Sequence, residues 1–215
     1  MKSPIQALEA AKMFVIARHG NTFESGEIPR RIGARTDLSL TATGLEQSCA
    51  LGKHFARQSL RFDRVLVSPL ARTQQTARAI LAELDDAPSP ETSEFLREID
   101  HGPDENQPDD VVRARVGDAA LAAWESDARP PDGWIIDTED RVSAWRRLFT
   151  DSRARQRTSL LVTSNGAARF ALLADDDLAQ QADELSTLKL PTGGFGVIDF
   201  NEDGALRLRE WGVCP

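Results

Sequence analysis

The chain has 215 residues, 40% of them hydrophobic, and this length is enough to bury the core of one large domain. Its 26 basic and 34 acidic side chains give a formal net charge of -8, which argues against general binding to nucleic acid or to an anionic membrane. No apolar run is long enough to span a bilayer, the first residues lack the order of a signal peptide, and the two cysteines are far apart, so we expect a cytoplasmic protein with reduced thiols. The composition leaves the oligomeric state open.

The first predicted strand ends on a histidine suited to nucleophilic chemistry. Residues 1–11 predict a short helix or a frayed end, and the apolar run Met13–Ala17 predicts a strand that leads into Arg18, His19 and Gly20. A neutral imidazole can attack phosphorus, a guanidinium can bind two phosphate oxygens, and glycine lets a ligand approach the backbone. The motif therefore predicts phosphoryl transfer, and the alternative is a chance sequence in which the histidine only caps the strand.

The next segment combines three arginines with turn-forming residues and then a helix. Arg30, Arg31 and Arg35 either fold over an anionic substrate or belong to a solvated basic loop. Thr41 precedes a predicted helix over Ala42–Arg57. The residues predicted to form its buried face are Leu45, Cys49, Gly52, Phe55 and Ala56.

A second anion-binding pattern follows a second strand. Arg64–Val67 predicts a buried strand, Ser68 is a good helix N-cap, and a helix is predicted over Pro69–Leu84. Arg72 then lies in the first helical turn, where free backbone N–H groups and the positive end of the helix dipole favour an anion. The alternative makes Arg72 an ordinary solvated surface charge.

The rest of the chain predicts helices and strands in alternation, as in an α/β sandwich. Three tryptophans between residues 120 and 150 are predicted to belong to the core rather than to a substrate platform. The predicted elements are helices near Asp110–Trp124 and Thr138–Asp151, a strand over Ser159–Thr163, a short helix from Ala167, and strands over Gly196–Phe200 and Leu206–Trp211.

Four segments resemble signature segments of the histidine phosphatase superfamily, the phosphoglycerate-mutase-like enzymes. They are residues 18–22, residues 37–47, residues 68–77 and residues 96–102. The resemblance covers most of the chain and implies a three-layer α/β/α sandwich with a central, mostly parallel sheet. It also implies a single domain over residues 1–215, in which residues 85–152 form a small inserted cap that decides which substrates enter.

The resemblance gives a role to each matched residue. His19 is the nucleophile that becomes phosphohistidine, Arg18 and Arg72 hold the phosphate, and Glu98 protonates the leaving oxygen and then activates water, with Asp100 as a rival donor. We expect no cofactor and no metal, because three histidines form no metal cluster on familiar spacing. The partner is a small phosphorylated metabolite. Further phosphate contacts are expected from Asn21, Thr22, Arg31, Asn165 and Gly166.

One departure from the family pattern bears on the activity. The fourth family segment ends a strand on a second histidine before glycine, and here Asn165 stands at that position. An amide is neutral, whereas a charged donor forms a hydrogen bond about twice as strong. Ser25 is a smaller departure, near a place where the family often has asparagine. If nothing replaces the lost charge, we expect weak activity. Two groups could replace it: the loop arginines Arg30, Arg31 and Arg35, which we favour, and His101.

Three functions are consistent with these residues. The first is a phosphatase that hydrolyses a small phosphomonoester through a phosphohistidine intermediate. The second is a phosphoglycerate-mutase-type phosphotransferase, and the third is a weakly active or inactive regulatory protein that binds a phosphate ligand. Intact His19, Arg18, Arg72 and Glu98 favour the phosphatase.

Overall fold

The computed structural model describes residues 12–155 and 157–215, so the prediction for residues 1–11 lies outside the described part. A six-stranded sheet with the order β3-β2-β4-β1-β5-β6 forms its centre. The first four of these strands are parallel, and β5 and β6 each pair antiparallel with the preceding neighbour. The strands are β1 (Met13–Arg18), β2 (Arg64–Val67), β3 (Glu91–Thr92), β4 (Ser159–Thr163), β5 (Phe195–Phe200) and β6 (Leu206–Val213).

Helices cover both faces of this sheet, because alternate residues of the central strands bury apolar side chains on opposite sides. One face packs against α1 and α2, and the other packs against α3 to α7. The predicted three-layer α/β/α sandwich with a mostly parallel sheet is therefore confirmed. The helices are α1 (Ala42–Arg57), α2 (Ala71–Leu81), α3 (Asp109–Val116), α4 (Asp118–Asp127), α5 (Thr138–Arg155), α6 (Asn165–Ala168) and α7 (Asp176–Ala182).

Several predicted helix boundaries are wrong. Helix α2 ends at Leu81 instead of Leu84, and α5 continues to Arg155 instead of ending at Asp151. Helix α2 begins two residues after Pro69, because Leu70 is still extended and the carboxylate of Asp37 accepts a hydrogen bond from the first helical N–H at 2.7 Å. The predicted helix near Asp110–Trp124 is two helices, since Gly117 has a φ of 79° that ends α3 before α4 starts. The short helix begins at Asn165 instead of Ala167.

The predicted buried face of α1 is correct for Gly52 and Phe55, which are buried, and wrong for the other residues. Leu45 is 49% exposed and Ala56 is exposed, whereas Gly44, Ser48 and Leu51 are buried. Polar and small residues face α2 here: the hydroxyl of Ser48 donates to the Gly44 carbonyl and to Thr76 of α2. An apolar stripe cannot indicate a helix contact of this kind.

Residues 85–152 are continuous with the core of the molecule. They contain β3, which pairs with β2, and helices α3 to α5. Trp124, Trp134 and Trp145 are buried in the same core cluster as Phe14 of β1, so the prediction that they are core residues is confirmed. That residues 85–152 act as a cap stays a prediction. Among the described helices, none is long and apolar enough to cross a bilayer.

The parallel strands bring three chain segments to one edge of the sheet. Arg18 at the end of β1 lies opposite Thr163 of β4, and Val67 of β2 lies opposite Val162 of β4. The loops after all three strands therefore meet where parallel α/β sheets bind their ligands, outside the carboxyl ends of the strands.

Candidate active site

His19 lies directly after β1 with its imidazole in a defined state. Its backbone N–H donates to the Thr163 carbonyl at 3.1 Å, and the residue is 3% exposed. Ring nitrogen Nδ1 lies 2.8 Å from the carbonyl oxygen of Gly20, which can only accept, so Nδ1 carries the proton. Burial, followed by the charges of Arg72 and Arg18, lowers the pKa of His19 well below its ordinary value. The ring is neutral at neutral pH, and Nε2 carries a lone pair.

The loop after His19 needs glycine because it touches helix α1. A Cβ atom at Gly20 would collide with the backbone carbonyl of Gly44. The N–H of Gly20 donates to Thr76 at 3.2 Å, and the N–H of Asn21 donates to the side chain of Gln47 at 2.8 Å. The segment that carries the nucleophile candidate is thereby fixed against both helices of one layer.

Arg72 is in the first turn of α2, as predicted, and its guanidinium is completely buried. Its Nη1 and Nη2 donate to the carbonyls of Thr36 and Gly33 at 2.8 and 3.2 Å, and its Nε donates to His19 Nε2 at 3.2 Å. Burial lowers its pKa, against the nearby negative charge of Glu98. The alternative of a solvated surface arginine is wrong, because this side chain has no exposed area.

Arg18 is the second arginine whose charge acts on the imidazole of His19. Its Nη1 donates to the Leu190 carbonyl at 2.6 Å, and its Nε is buried with no hydrogen-bond partner in residues 12–155 or 157–215. Burial lowers its pKa to about 10, so it remains charged at neutral pH. A buried cationic N–H without a partner is a costly group that an anionic ligand would satisfy.

Glu98 is held at the site by backbone groups. Its Oε1 accepts from the N–H of Ile99 at 2.8 Å and its Oε2 accepts from the N–H of Gly166 at 3.0 Å. A Cβ atom at Gly166 would collide with Oε1, so only glycine lets α6 approach this carboxylate. The N–H of Gly166 thus positions Glu98. Asp100, the rival donor, instead pairs with Arg35 at 3.0 Å and is not among the residues that line the cavity.

The side-chain oxygen of Asn165 holds a neighbouring loop. Its Oδ1 accepts from the N–H of Leu190 at 2.9 Å, and the carbonyl of Leu190 is the group that holds Arg18. Its Nδ2 makes no hydrogen bond to any part of the chain that the structure describes, and the residue lines the cavity. Asn165 therefore fixes the loop that positions Arg18 and keeps one free amide donor.

Most of the predicted site residues line a cavity of about 560 Å³. Arg72 and Gly166 do not line it: they lie one contact away from it, Arg72 hydrogen-bonded to His19 and Gly166 to Glu98. Arg35 is not brought there, because it pairs with Asp100 and donates to the carbonyl of Gly102 at 2.5 Å. The sequence-predicted residues that line the cavity are Arg18, His19, Asn21, Thr22, Ser25, Arg30, Arg31, Glu98, His101 and Asn165.

Two candidates for the compensating charge are already engaged with neighbours. Arg31 lies 3.3 Å from Asp109, and its guanidinium lies 5.3 Å from the ring centroid of Trp134. His101 Nδ1 lies 3.6 Å from Glu105. Burial opposes ionisation of Glu105, but the neighbouring imidazole of His101 and hydrogen bonds from Thr36 and from the backbone N–H groups of His101 and Gly33 lower its pKa to about 2. His101 therefore faces a carboxylate as well as the cavity.

Sequence reasoning missed several residues of the cavity wall. Asp109, Glu125 and Lys189 all line it, and each comes from a helix or loop whose position depends on long-range packing. Their polar side chains have no motif spacing that could have identified them. No group of three or more His, Cys, Asp or Glu side chains able to hold a metal ion occurs within the described residues.

Comparisons with known proteins identify a family model and relatives that match this chain. A family model described as histidine phosphatase superfamily (branch 1) matches residues 14–213. The chain is 30% identical over 166 residues to the 2,3-bisphosphoglycerate-dependent phosphoglycerate mutase of Methylobacterium sp. (strain 4-46), covering 75% of this chain and 79% of the relative. It is 29% identical over 204 residues to the protein of the same description from Rhizobium meliloti (strain 1021), covering 91% and 93%.

Solved structures show the same fold. A mycobacterial glucosyl-3-phosphoglycerate phosphatase superposes with a TM-score of 0.73 at 20% identity, covering 94% of this chain and 99% of that one. A phosphoserine phosphatase from Entamoeba histolytica, solved with 3-phosphoglyceric acid, superposes with a TM-score of 0.70 at 21% identity, covering 93% and 96%.

Proposed function

This chain belongs to the histidine phosphatase superfamily, and from that membership we propose that it hydrolyses a small phosphomonoester through a phosphohistidine on His19. The observation that carries this proposal is the neutral, buried imidazole whose Nε2 lone pair lies 3.2 Å from a buried guanidinium nitrogen of Arg72. A neutral nucleophile beside fixed cations is what attack on an anionic phosphoryl group requires.

The proposed reaction has two displacements. His19 Nε2 attacks phosphorus, phosphate oxygens replace Nε2 as the acceptor of the Arg72 N–H, and the ester P–O bond breaks as Glu98 gives a proton to the leaving oxygen. A water molecule then attacks the phosphohistidine, Glu98 takes its proton, the P–N bond breaks, and Nε2 recovers its lone pair. The unpartnered Arg18 Nε and the Asn165 amide are the proposed donors to the other phosphoryl oxygens.

The outer wall of the cavity is proposed to select the substrate. Residues 85–152, which we propose as the cap, contribute Glu98, His101, Asp109 and Glu125 to that wall. The second candidate function is a phosphoglycerate mutase, which the descriptions of the curated relatives favour. A mutase would interconvert 2- and 3-phosphoglycerate in the presence of 2,3-bisphosphoglycerate, and an assay of that interconversion beside phosphate release separates the two functions.

A screen of phosphomonoesters with purified protein and a chelator tests the proposed function. We expect phosphate release that the chelator does not reduce, because arginines and backbone N–H groups supply the positive field that a metal would otherwise provide. Phosphate release is measured with and without added Mg²⁺ or Mn²⁺. Activity that disappears with the chelator and returns with either cation would contradict this mechanism.

Asn165→His tests the role of the amide at the fourth segment. A neutral histidine there can accept the Leu190 N–H at Nδ1 and present Nε2–H to the phosphoryl group. As the pH falls through about 6.5, Nδ1 gains a proton, so the ring loses the Leu190 hydrogen bond and becomes a charged donor at Nε2. We expect the rate to rise about 10-fold below about pH 7, since a charged hydrogen bond is stronger than a neutral one. Steady-state rates and phosphate inhibition are measured from pH 5 to 8, with Asn165→Ala as the control that loses both interactions. Unchanged rate and phosphate affinity in both variants would show that residue 165 does not face the phosphoryl group.

A further inference from the structure

A carboxylate outside the proposed catalytic set lines the same cavity. Glu125 lies in α4, and its side chain is about 36% exposed, toward the space that also contains His19 and Arg18. A negative side chain weakens the attraction of such a cavity for a dianionic phosphate, because like charges repel. Glu125 therefore cannot serve to bind the phosphate itself, and we ask which group in the rest of the ligand it could contact.

A buried cation fixes the position of Glu125. Arg169 has no exposed area, and its guanidinium lies 4.1 Å from the ring centroid of Trp124. Its Nη1 donates to the Trp124 carbonyl, and its Nη2 lies 3.6 Å from Glu125 Oε2. The carboxylate of Glu125 is thus held by the guanidinium of Arg169, which is itself completely buried.

The backbone of Glu125 is also tied to the phosphate-binding side of the cavity. Its carbonyl accepts the N–H of Leu188 at 3.2 Å. Two residues later, the backbone of Leu190 contacts both Asn165 and Arg18. Residues 188–190 therefore link the backbone of Glu125 to the side chain of Arg18 through hydrogen bonds. A ligand that contacts both side chains finds them already in position, which lowers the cost of binding.

Neither oxygen of Glu125 accepts a hydrogen bond from the ranges that the structure describes, and Oε2 is buried. Its one charged neighbour within 4 Å in those ranges is the Arg169 guanidinium, at 3.6 Å from Oε2, whereas Asp109 lies 3.3 Å from Arg31 and Glu27 accepts the N–H of Glu24 at 2.7 Å. The ion pair with Arg169 balances the charge of Glu125 but leaves its hydrogen-bonding capacity unused, and a ligand that brings a donor would use it.

We propose that Glu125 is a specificity-determining residue that selects phosphomonoesters whose organic part carries a hydrogen-bond donor, an ammonium group above all or a hydroxyl group. Ligands with a carboxylate at that place are disfavoured by repulsion. This inference rests on the proposed function, since it assigns a substrate class to the same site.

Binding of four two-carbon phosphonates tests the inference without any turnover. Ethylphosphonate supplies the reference, 2-aminoethylphosphonate an ammonium, 2-hydroxyethylphosphonate a hydroxyl, and phosphonoacetate a carboxylate. By calorimetry we expect wild type to bind the ammonium ligand about 10-fold more tightly than ethylphosphonate, the hydroxyl ligand between these two, and phosphonoacetate most weakly. Glu125→Gln should remove most of the ammonium preference and bind ethylphosphonate at least as tightly as wild type, because a like charge has been removed, and this binding also shows that the variant is folded.

The matched control is Glu24→Gln, which removes the same charge from an exposed residue of the cavity wall and should keep the preference. An ammonium preference that survives in Glu125→Gln, or tightest binding of phosphonoacetate by wild type, would overturn the inference while phosphate release could still support the proposed function. Conversely, a Glu125-dependent preference in a protein that releases no phosphate supports the inference and contradicts the proposed function. Failure of all four ligands to bind contradicts both.

Discussion

His19→Ala is expected to abolish both turnover and the covalent intermediate. Loss of a nucleophile from a site whose other groups remain in place typically costs at least about 10⁴-fold in rate. The measurement is rapid quenching with phosphorus-labelled substrate, which should trap an adduct on the wild type that is labile in acid and stable in base. The variant should show no such adduct.

His54→Ala is the matched control for this experiment. His54 lies on α1 with its ring 5.3 Å from that of Phe195, and it is not among the residues that line the cavity. This variant should keep both the adduct and the rate. Full activity of His19→Ala would exclude the phosphohistidine mechanism.

The lowered pKa of His19 also predicts how the rate of the wild-type protein depends on pH. Because burial and the two arginines disfavour the protonated ring, the nucleophile stays neutral as the pH falls through 6.5, where an ordinary histidine would gain charge. The pH profile of kcat/KM, which reports the groups of the free enzyme, should therefore show no loss near pH 6.5 that titrates as His19. The loss from its protonation should begin only well below that value.

Glu98→Gln is expected to slow substrates according to their leaving group. A positioned acid contributes about 10² to 10⁴ in rate when the leaving oxygen needs a proton, and little when the leaving group is an activated phenol. Alkyl phosphates should therefore lose about that factor, while an activated aryl phosphate should lose far less. The ratio of kcat/KM for the two substrate types in each protein is the measurement.

Two controls make the Glu98 result specific. Both carboxylate oxygens accept backbone N–H groups, so a glutamine leaves one N–H without an acceptor, and phosphate inhibition must show that the pocket still binds its anion. Asp100→Asn, which alters the rival donor outside the cavity wall, should not change the ratio between substrates. Equal losses for alkyl and aryl substrates would assign proton transfer to another group or to water.

The sequence predicts the fold well wherever a local pattern coincides with a tertiary requirement. The apolar run of β1 is buried on both faces, so its hydrophobicity alone identifies a central strand. Arg72 was predicted to face an anion because strand, N-cap signal and arginine follow one another directly in the chain. Strands β1, β2 and β4 are parallel, so their carboxyl ends lie at the same edge of the sheet. His19, Arg72 and Asn165 follow these three ends and are therefore brought to the same edge.

The remainder could not be predicted because it depends on contacts between distant segments. Arg169 is a charged residue with no exposed area, and only its position over Trp124, 45 residues earlier, shows how it is accommodated. Glu125 reaches the cavity through the packing of α4, which no periodicity describes. Likewise, the sequence could not separate Arg31, which reaches the cavity, from Arg35, which pairs with Asp100 instead.

The position of β1 between β4 and β5 has a consequence for biosynthesis. The strand that leads to His19 ends at residue 18, and its two neighbours begin at residues 159 and 195. At a translation rate of about 5–20 residues per second, β1 waits roughly ten to thirty seconds for the partners that cover its two edges. Until then its apolar residues have no sheet to join, and nascent strands in this state are the ones that aggregate or engage chaperones. A product truncated before residue 159 would therefore contain the histidine without the site, so catalytic competence arises only in the last quarter of synthesis.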